Sequence, residues 1–224
     1  RLCSSAASDV YKRQMFDLDF HDMDCDFYAG SGHKWQCGPG ATGILYVRDN
    51  GKRLNEYWND RENPLWLINS SISHADHLGK QLRMQYVGND NYPAKQALAD
   101  SCKMWDDIGR ARIEERVLEL SDLCKALLRE ALPHAQMYSP NIKGLTSGLT
   151  TFNPLHDVTD KERLTLFRDR LREEYGYIIR TTNFKLSKDD AYETQALRIS
   201  THLFHDEGDV KGLVEAITEL YCAF

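Results

Sequence analysis

Hydrophobic and polar positions divide this chain into a short strand-like opening, a long irregular middle and a regularly patterned second half. Residues 25–30 read Cys-Asp-Phe-Tyr-Ala-Gly, and the aromatic pair Phe27 and Tyr28 suits a buried strand that ends in small residues. Residues 37–43 form a breaker cluster of glycine, proline and threonine, and Ile44-Leu45-Tyr46-Val47 follows as a second apolar strand. Residues 49–92 are polar, rich in Trp, His and Asn, and without a clear period; a stretch of this length is more often a functional loop than a linker. At Tyr92-Pro93 the period changes to that of a helix, with Pro93 suited to the first turn. Ala97, Met104, Trp105, Ile108, Ile113, Val117, Leu120, Leu123, Leu127 and Leu128 recur at helical spacing almost to Pro133. The pattern predicts a long helix or a helix pair near 94–130, with Gly109 as the point of a kink or break. Its charged residues over 106–130 read as a solvated face.

Beyond Pro133, strand and helix patterns alternate. Residues 148–152, 177–181 and 196–200 read as strands. Residues 160–175 read as an amphipathic helix opened by Thr159 or Asp160 and closed by Gly176, and 207–221 as a terminal helix. The expected architecture is α/β: a partial sheet over about 15–92, then the long helix, then an α+β lobe from about 134.

Composition narrows the function. A formal charge of −6 and a pI near 5.8 argue against a nucleic-acid partner, because binders of phosphate backbones gather a basic face. No apolar run approaches the roughly 18 residues of a membrane span, so no membrane partner is expected. Six cysteines, at positions 3, 25, 37, 102, 124 and 222, show no C-x-x-C pair, which favours reduced thiols in a cytoplasm over a disulfide framework. His74 and His77, and His202 and His205, have i, i+3 spacing without a third ligand, so no metal is expected. Residues 1–14 are Ser/Ala-rich and basic with no periodicity; they resemble translated sequencing-adaptor read-through and are expected to be a non-native or disordered extension.

Lys34 occupies an unusual address, a tight connection between two apolar strands. Desolvation there lowers the preference of an amine for its charged form and makes it available as a nucleophile, the use pyridoxal phosphate enzymes make of a lysine. A lysine that snorkels to the surface beside a chance histidine gives the same spacing.

Residues 26–35, Asp-Phe-Tyr-Ala-Gly-Ser-Gly-His-Lys-Trp, followed by 38–48, Gly-Pro-Gly-Ala-Thr-Gly-Ile-Leu-Tyr-Val-Arg, resemble the cofactor-lysine segment of the class V aminotransferase family. That family is a fold-type I group that includes cysteine desulfurases and isopenicillin N epimerase-like enzymes. The resemblance runs from about Met15 to the end of the chain. It implies that Lys34 forms the internal aldimine with pyridoxal 5'-phosphate and that His33 neighbours the cofactor. Residues 196–204, Ala-Leu-Arg-Ile-Ser-Thr-His-Leu-Phe, are similar to the family segment whose arginine grips the substrate carboxylate, a role that falls to Arg198. Arg180 lies where relatives face the substrate, although a solvated strand arginine fits equally well. Gly88-Asn89-Asp90-Asn91 stands where the family has Gly-Thr-x-Asp/Asn reaching the cofactor phosphate of a neighbouring subunit; Asn89 replaces the threonine, so an amide would replace a hydroxyl. The implied assembly is a homodimer with shared active sites, acting on an amino acid.

The implied domains are the 1–14 extension, a partial cofactor-binding large domain over 15–130 with active-site loop and interdomain helix, and a small C-terminal domain over 131–224. No cysteine lies between Tyr177 and Arg198, which disfavours a persulfide-forming desulfurase. Epimerisation, β-elimination at a C–S bond and transamination stay open, since each begins with a proton taken by Lys34. The segments that in relatives carry the ring-nitrogen aspartate and most of the phosphate cup have no counterpart here. The chain is therefore expected to be the C-terminal portion of such an enzyme, inactive alone. The alternative is a binding module that works without cofactor, for which an intact lysine motif has no use.

Overall fold

The computed structural model describes residues 15–20, 22–25, 27–47 and 90–224. They fall into two compact units that divide between Asp107 and Ile108.

The first unit holds a β-hairpin and a helix. Strands β1 (Phe27–Ser31) and β2 (Gly43–Val47) pair antiparallel, Phe27 opposite Val47 and Ser31 opposite Gly43. The expected strand, glycine-rich turn and second strand are therefore present, and they flank Lys34. The strands are not buried, contrary to the expectation from their apolar content. Tyr28 is inside, its ring tilted at 31° against that of Phe20 with Cys25 in the same cluster, while Phe27 and Leu45 are 38% and 57% exposed. Alternation sends one face of a two-stranded ribbon inward and leaves the other open among the described residues.

Helix α1 (Tyr92–Ile108) is opened by Asn91, whose side-chain oxygen accepts from the Ala94 amide, with Pro93 in the first turn. Leu98, Ser101 and Trp105, spaced three and four apart, form its buried stripe. The helix pattern breaks where glycine predicted: Gly109 adopts φ 97°, a conformation that side chains avoid, and stands at the N-cap of α2 (Arg110–Ala131).

The second unit comprises α2, β3 (Gln136–Met137), β4 (Leu149–Asn153), α3 (Lys161–Tyr175), β5 (Arg180–Phe184), β6 (Thr194–Ser200) and α4 (Glu207–Cys222). The sheet order is β3-β4-β6-β5, antiparallel throughout. Val117, Leu120, Cys124 and Leu128 of α2, Phe167 and Leu171 of α3, and Ile217 and Leu220 of α4 are buried; all but Val117 join Phe152, Leu197 and Ile199 in one apolar core. This is the expected small α+β lobe, two layers deep. Asp160 caps α3 through the Arg163 amide at 2.9 Å and Gly176 ends it at φ 80°. Asp206 and Asp209 form a reciprocal capping box at the start of α4.

Two boundaries differ from expectation. The strand expected over 177–181 starts three residues later, because backbone pairing begins where Arg180 meets Arg198, while Ile178 ahead of it is 74% exposed. The two-residue β3 has no signal of its own and exists through its pairing with β4.

Candidate active site

The turn that carries Lys34 is built from close backbone approaches. The Gly32 amide donates to Thr42 O and the Gly38 amide to Gly32 O, both at 2.8 Å, so the chain folds back on itself directly after β1. A Cβ on Gly32 would lie 2.7 Å from Leu98 Cδ1 and from Thr42 Oγ1; one on Gly38 would lie 2.6 Å from Leu98 Cδ1 and 2.8 Å from Gly32 O. Glycine at both positions lets the turn seat directly on α1.

Four side chains divide between the two sides of this turn. Trp35 and Gln36 are buried, and Gln36 is tied to α1 by a hydrogen bond from Ser101 Oγ to its carbonyl. His33 and Lys34 point the other way and are exposed. The Cys37 amide closes the bend onto Lys34 O at 2.9 Å, with Cys37 held at φ 56°. Thr42 Oγ1 donates to Pro39 O at 2.6 Å, and His33 Nδ1 lies 3.3 Å from Thr42 O, which assigns the proton to Nδ1 in that bond. The expected desolvation of Lys34 is not met: its backbone is fixed and its side chain is exposed. The reason is the hairpin itself, which turns this face outward.

Arg198 and Arg180 sit in the second unit. Arg198 is half-buried on β6, Arg180 is exposed on the edge strand β5, and they are direct partners in the strand register. Thr151 of β4 is the partner of Arg198 on its other side. Gly88 and Asn89 lie outside the described residues, as do His74 and His77.

His202 and His205 serve a local turn. The His202 amide donates to His205 Nδ1 at 3.0 Å and the Leu203 amide to His202 Nδ1 at 2.9 Å, while both rings contact Phe204. Among the described residues no group of His, Cys, Asp and Glu is arranged to hold a metal, five cysteines carry free thiols, and no helix is long and apolar enough to cross a membrane.

One buried charge escaped the sequence. Helical patterning puts Lys125 on the solvated face of its helix, yet its side chain is fully buried, with Nζ donating to Thr146 Oγ1 and Ser147 O. Burial pushes its ammonium below the ordinary lysine value, and Asp122 partly opposes that shift. The available signal was its phase: Lys125 follows Ser121 by four residues beside the apolar stripe of Val117, Cys124 and Leu128.

This geometry has relatives. The model of the family described as aminotransferase class-V matches residues 6–213, a span that begins inside the stretch expected to be an extension. The chain is 28% identical over 215 residues to isopenicillin N epimerase of Amycolatopsis lactamdurans, covering 91% of this chain and 49% of the relative. The enzyme of the same name from Streptomyces clavuligerus is 26% identical over 212 residues, with the same coverage. Among solved structures, the apo cysteine desulfurase from Thermococcus onnurineus NA1 superposes with a TM-score of 0.70 at 20% identity, covering 95% of this chain and 51% of that one. A NifS-like protein gives a TM-score of 0.63 at 16% identity, covering 96% and 51%. The chain thus spans about half the length of the curated relatives it matches. With most of its length matched by the family model, and the lysine turn and antiparallel lobe in place, the chain belongs to the aminotransferase class-V family.

Proposed function

We propose that this chain supplies the lysine and the carboxylate-binding arginines of a pyridoxal 5'-phosphate-dependent enzyme that moves the Cα proton of an amino acid. The observation that carries the reading is the contrast at residue 34: a backbone pinned to α1 through Gly32 and Gly38, and an exposed primary amine at its apex. This donor set fits the cofactor, since an aldehyde-bearing ring needs an accessible amine held in a fixed place, and an exposed imidazole adjoins it. Lys34 would hold the cofactor, with His33 beside it and Gly88 and Asn89 toward its phosphate. When bound, the cofactor supplies the electron sink that makes a substrate Cα–H acidic. The Lys34 amine then takes and returns the proton at Cα. Arg198 orients the substrate by its carboxylate through a planar two-pronged fork, and Arg180 adjoins it on the same face.

Among the reactions that start from this proton transfer, epimerisation is the one we favour. Two relatives are named epimerases, and the absence of cysteine between Tyr177 and Arg198 speaks against desulfuration. Because the chain spans half of its relatives, the proposal assigns it a share of the site: the 224 residues alone give no turnover, and the working form is a cytoplasmic homodimer with shared sites. The test is borohydride trapping in a full-length enzyme carrying these residues. The cofactor adduct should map to the peptide containing Lys34 and be lost in Lys34→Ala. An adduct on another lysine, or retained in Lys34→Ala, overturns the assignment.

A further inference from the structure

The turn before β4 presents two apolar side chains to solvent on a fixed frame. Residues 141–145, Asn-Ile-Lys-Gly-Leu, are exposed in succession, Ile142 at 58% and Leu145 at 68%. The amides of Leu145 and Thr146 both donate to Ile142 O, at 2.9 and 3.0 Å, and Gly144 takes φ 83°, so residues 142–146 close into a tight turn. Its base is clamped to α2, where Lys125 Nζ donates to Thr146 Oγ1 and Ser121 Oγ to Ser147 O. A knob ordered in advance gives up little conformational entropy when a partner covers it. Elsewhere in the same unit, α2 and α4 enclose a groove of about 410 Å³. Leu127 and Val214 line its apolar part, and Glu130, Glu215 and Glu219 outnumber Lys211 among its charged residues. An apolar knob that carries one exposed ammonium, Lys143, therefore matches an apolar groove with a net negative rim.

We infer that the turn of one copy docks into the α2–α4 groove of a second copy of this chain. Ile142 and Leu145 enter the apolar part, beside Leu127 and Val214, and the Lys143 ammonium meets the carboxylates of Glu130, Glu215 and Glu219. The two surfaces are unlike, so after a first contact one copy keeps a free turn and the other a free groove, and association runs head to tail. Two apolar side chains and one cation make a contact far smaller than a standard interface, so it is transient, with a Kd of about 100 µM. The inference makes no use of Lys34, of Arg198 or of the dimer with shared sites proposed above, and it stands or fails separately from them.

The test is sedimentation velocity of the full 224-residue chain, from about 10 µM to about 1 mM. Wild-type mass should rise with concentration and pass that of a dimer, since a head-to-tail contact leaves both ends open. The turn variant, Ile142→Ser with Leu145→Ser, and the groove variant, Glu215→Lys with Glu219→Lys, should each associate about tenfold more weakly. All four positions are exposed, so the fold is kept, and circular dichroism checks it. An equimolar mixture of the two variants should recover association and stop at the dimer, because the intact turn of one fits the intact groove of the other and the remaining surfaces are both damaged. Adding Lys143→Glu to the groove variant reverses both charges in one chain and should also recover association. A wild-type chain that stays monomeric or stops at a dimer, association that either variant leaves intact, or a mixture no stronger than its components overturns the inference.

Discussion

Lys125 Nζ donates to Thr146 Oγ1 at 2.5 Å from a side chain with no exposed surface, and so fastens α2 to the turn before β4. The same turn is held from two other directions. Ser121 Oγ donates to Ser147 O at 2.7 Å, and the Thr201 amide donates to Gly148 O at 3.0 Å. Thr201 stands three residues after Arg198, so a buried polar cluster anchors the end of the strand that carries Arg198.

Truncating Lys125 should be costly. Lys125→Ala removes one of the largest fully buried side chains and strips donors from Thr146 and Ser147. An expected loss of about 2–4 kcal/mol in urea unfolding combines the cavity with the unmet acceptors. Lys125→Met keeps the volume and should lose less.

The same residue gives stability a pH dependence of defined sign. Its folded value lies below the ordinary 10.5, so the unfolded chain binds the extra proton and wild-type stability rises with pH as that value is approached. The stability of wild type relative to Lys125→Met should therefore increase from neutral pH toward 10.5. A flat difference across that range would show that Lys125 titrates alike in both states.

At the lysine turn, Gly38→Ala should destabilise the first unit by about 1–3 kcal/mol through overpacking. The new Cβ would press on Leu98 Cδ1 and on Gly32 O. Adding Leu98→Ala relieves only the first contact, so the double variant should show partial rescue of the turn by amide exchange. Full rescue would mean that the backbone approach is not limiting.

Glu207 supplies the acid limb. The hydrogen bond from Arg116 holds its carboxyl down to about 2 against an ordinary 4.5. Its contribution is present above pH 4.5 and fades as the pH falls toward about 2. Glu207→Gln should differ from wild type at neutral pH and converge with it at the acid end, and added salt should shrink the gap. A difference that persists at the acid end would assign the effect to the helix start instead.

Gly176→Ala isolates a backbone term. The residue closes α3 at φ 80°, and a methyl group added there would meet nothing within 4 Å, so packing contributes nothing. Thermal unfolding should report a loss of about 1–2 kcal/mol, the cost of a side chain in the left-handed region.

Helices α3 and α4 were legible because each encodes its own ends: aspartate at the start of both, glycine at the end of α3, and apolar residues at helical spacing between. The break at Gly109 was legible for a similar reason, since glycine alone accepts the backbone angle found there. The lysine turn could be read from its glycines and proline. Strand β5 could not be placed to the residue, because Tyr177-Ile178-Ile179 has strand propensity while the ladder follows the register of β6.

By itself, the sequence determined the order of the longer elements, apart from the two-residue β3, together with the ends of α3, the hairpin around Lys34 and the family, because these depend on neighbours within a few residues or on a continuous motif. Tertiary structure decided three other things. It exposed the Lys34 side chain that its apolar flanks suggested would be buried, and it buried the Lys125 charge that helical patterning assigned to solvent. It also set Arg180 opposite Arg198, eighteen positions apart in the chain. Burial and register are properties of what packs against a residue, and the partners that set them lie across a sheet or on another helix, where no local pattern records them.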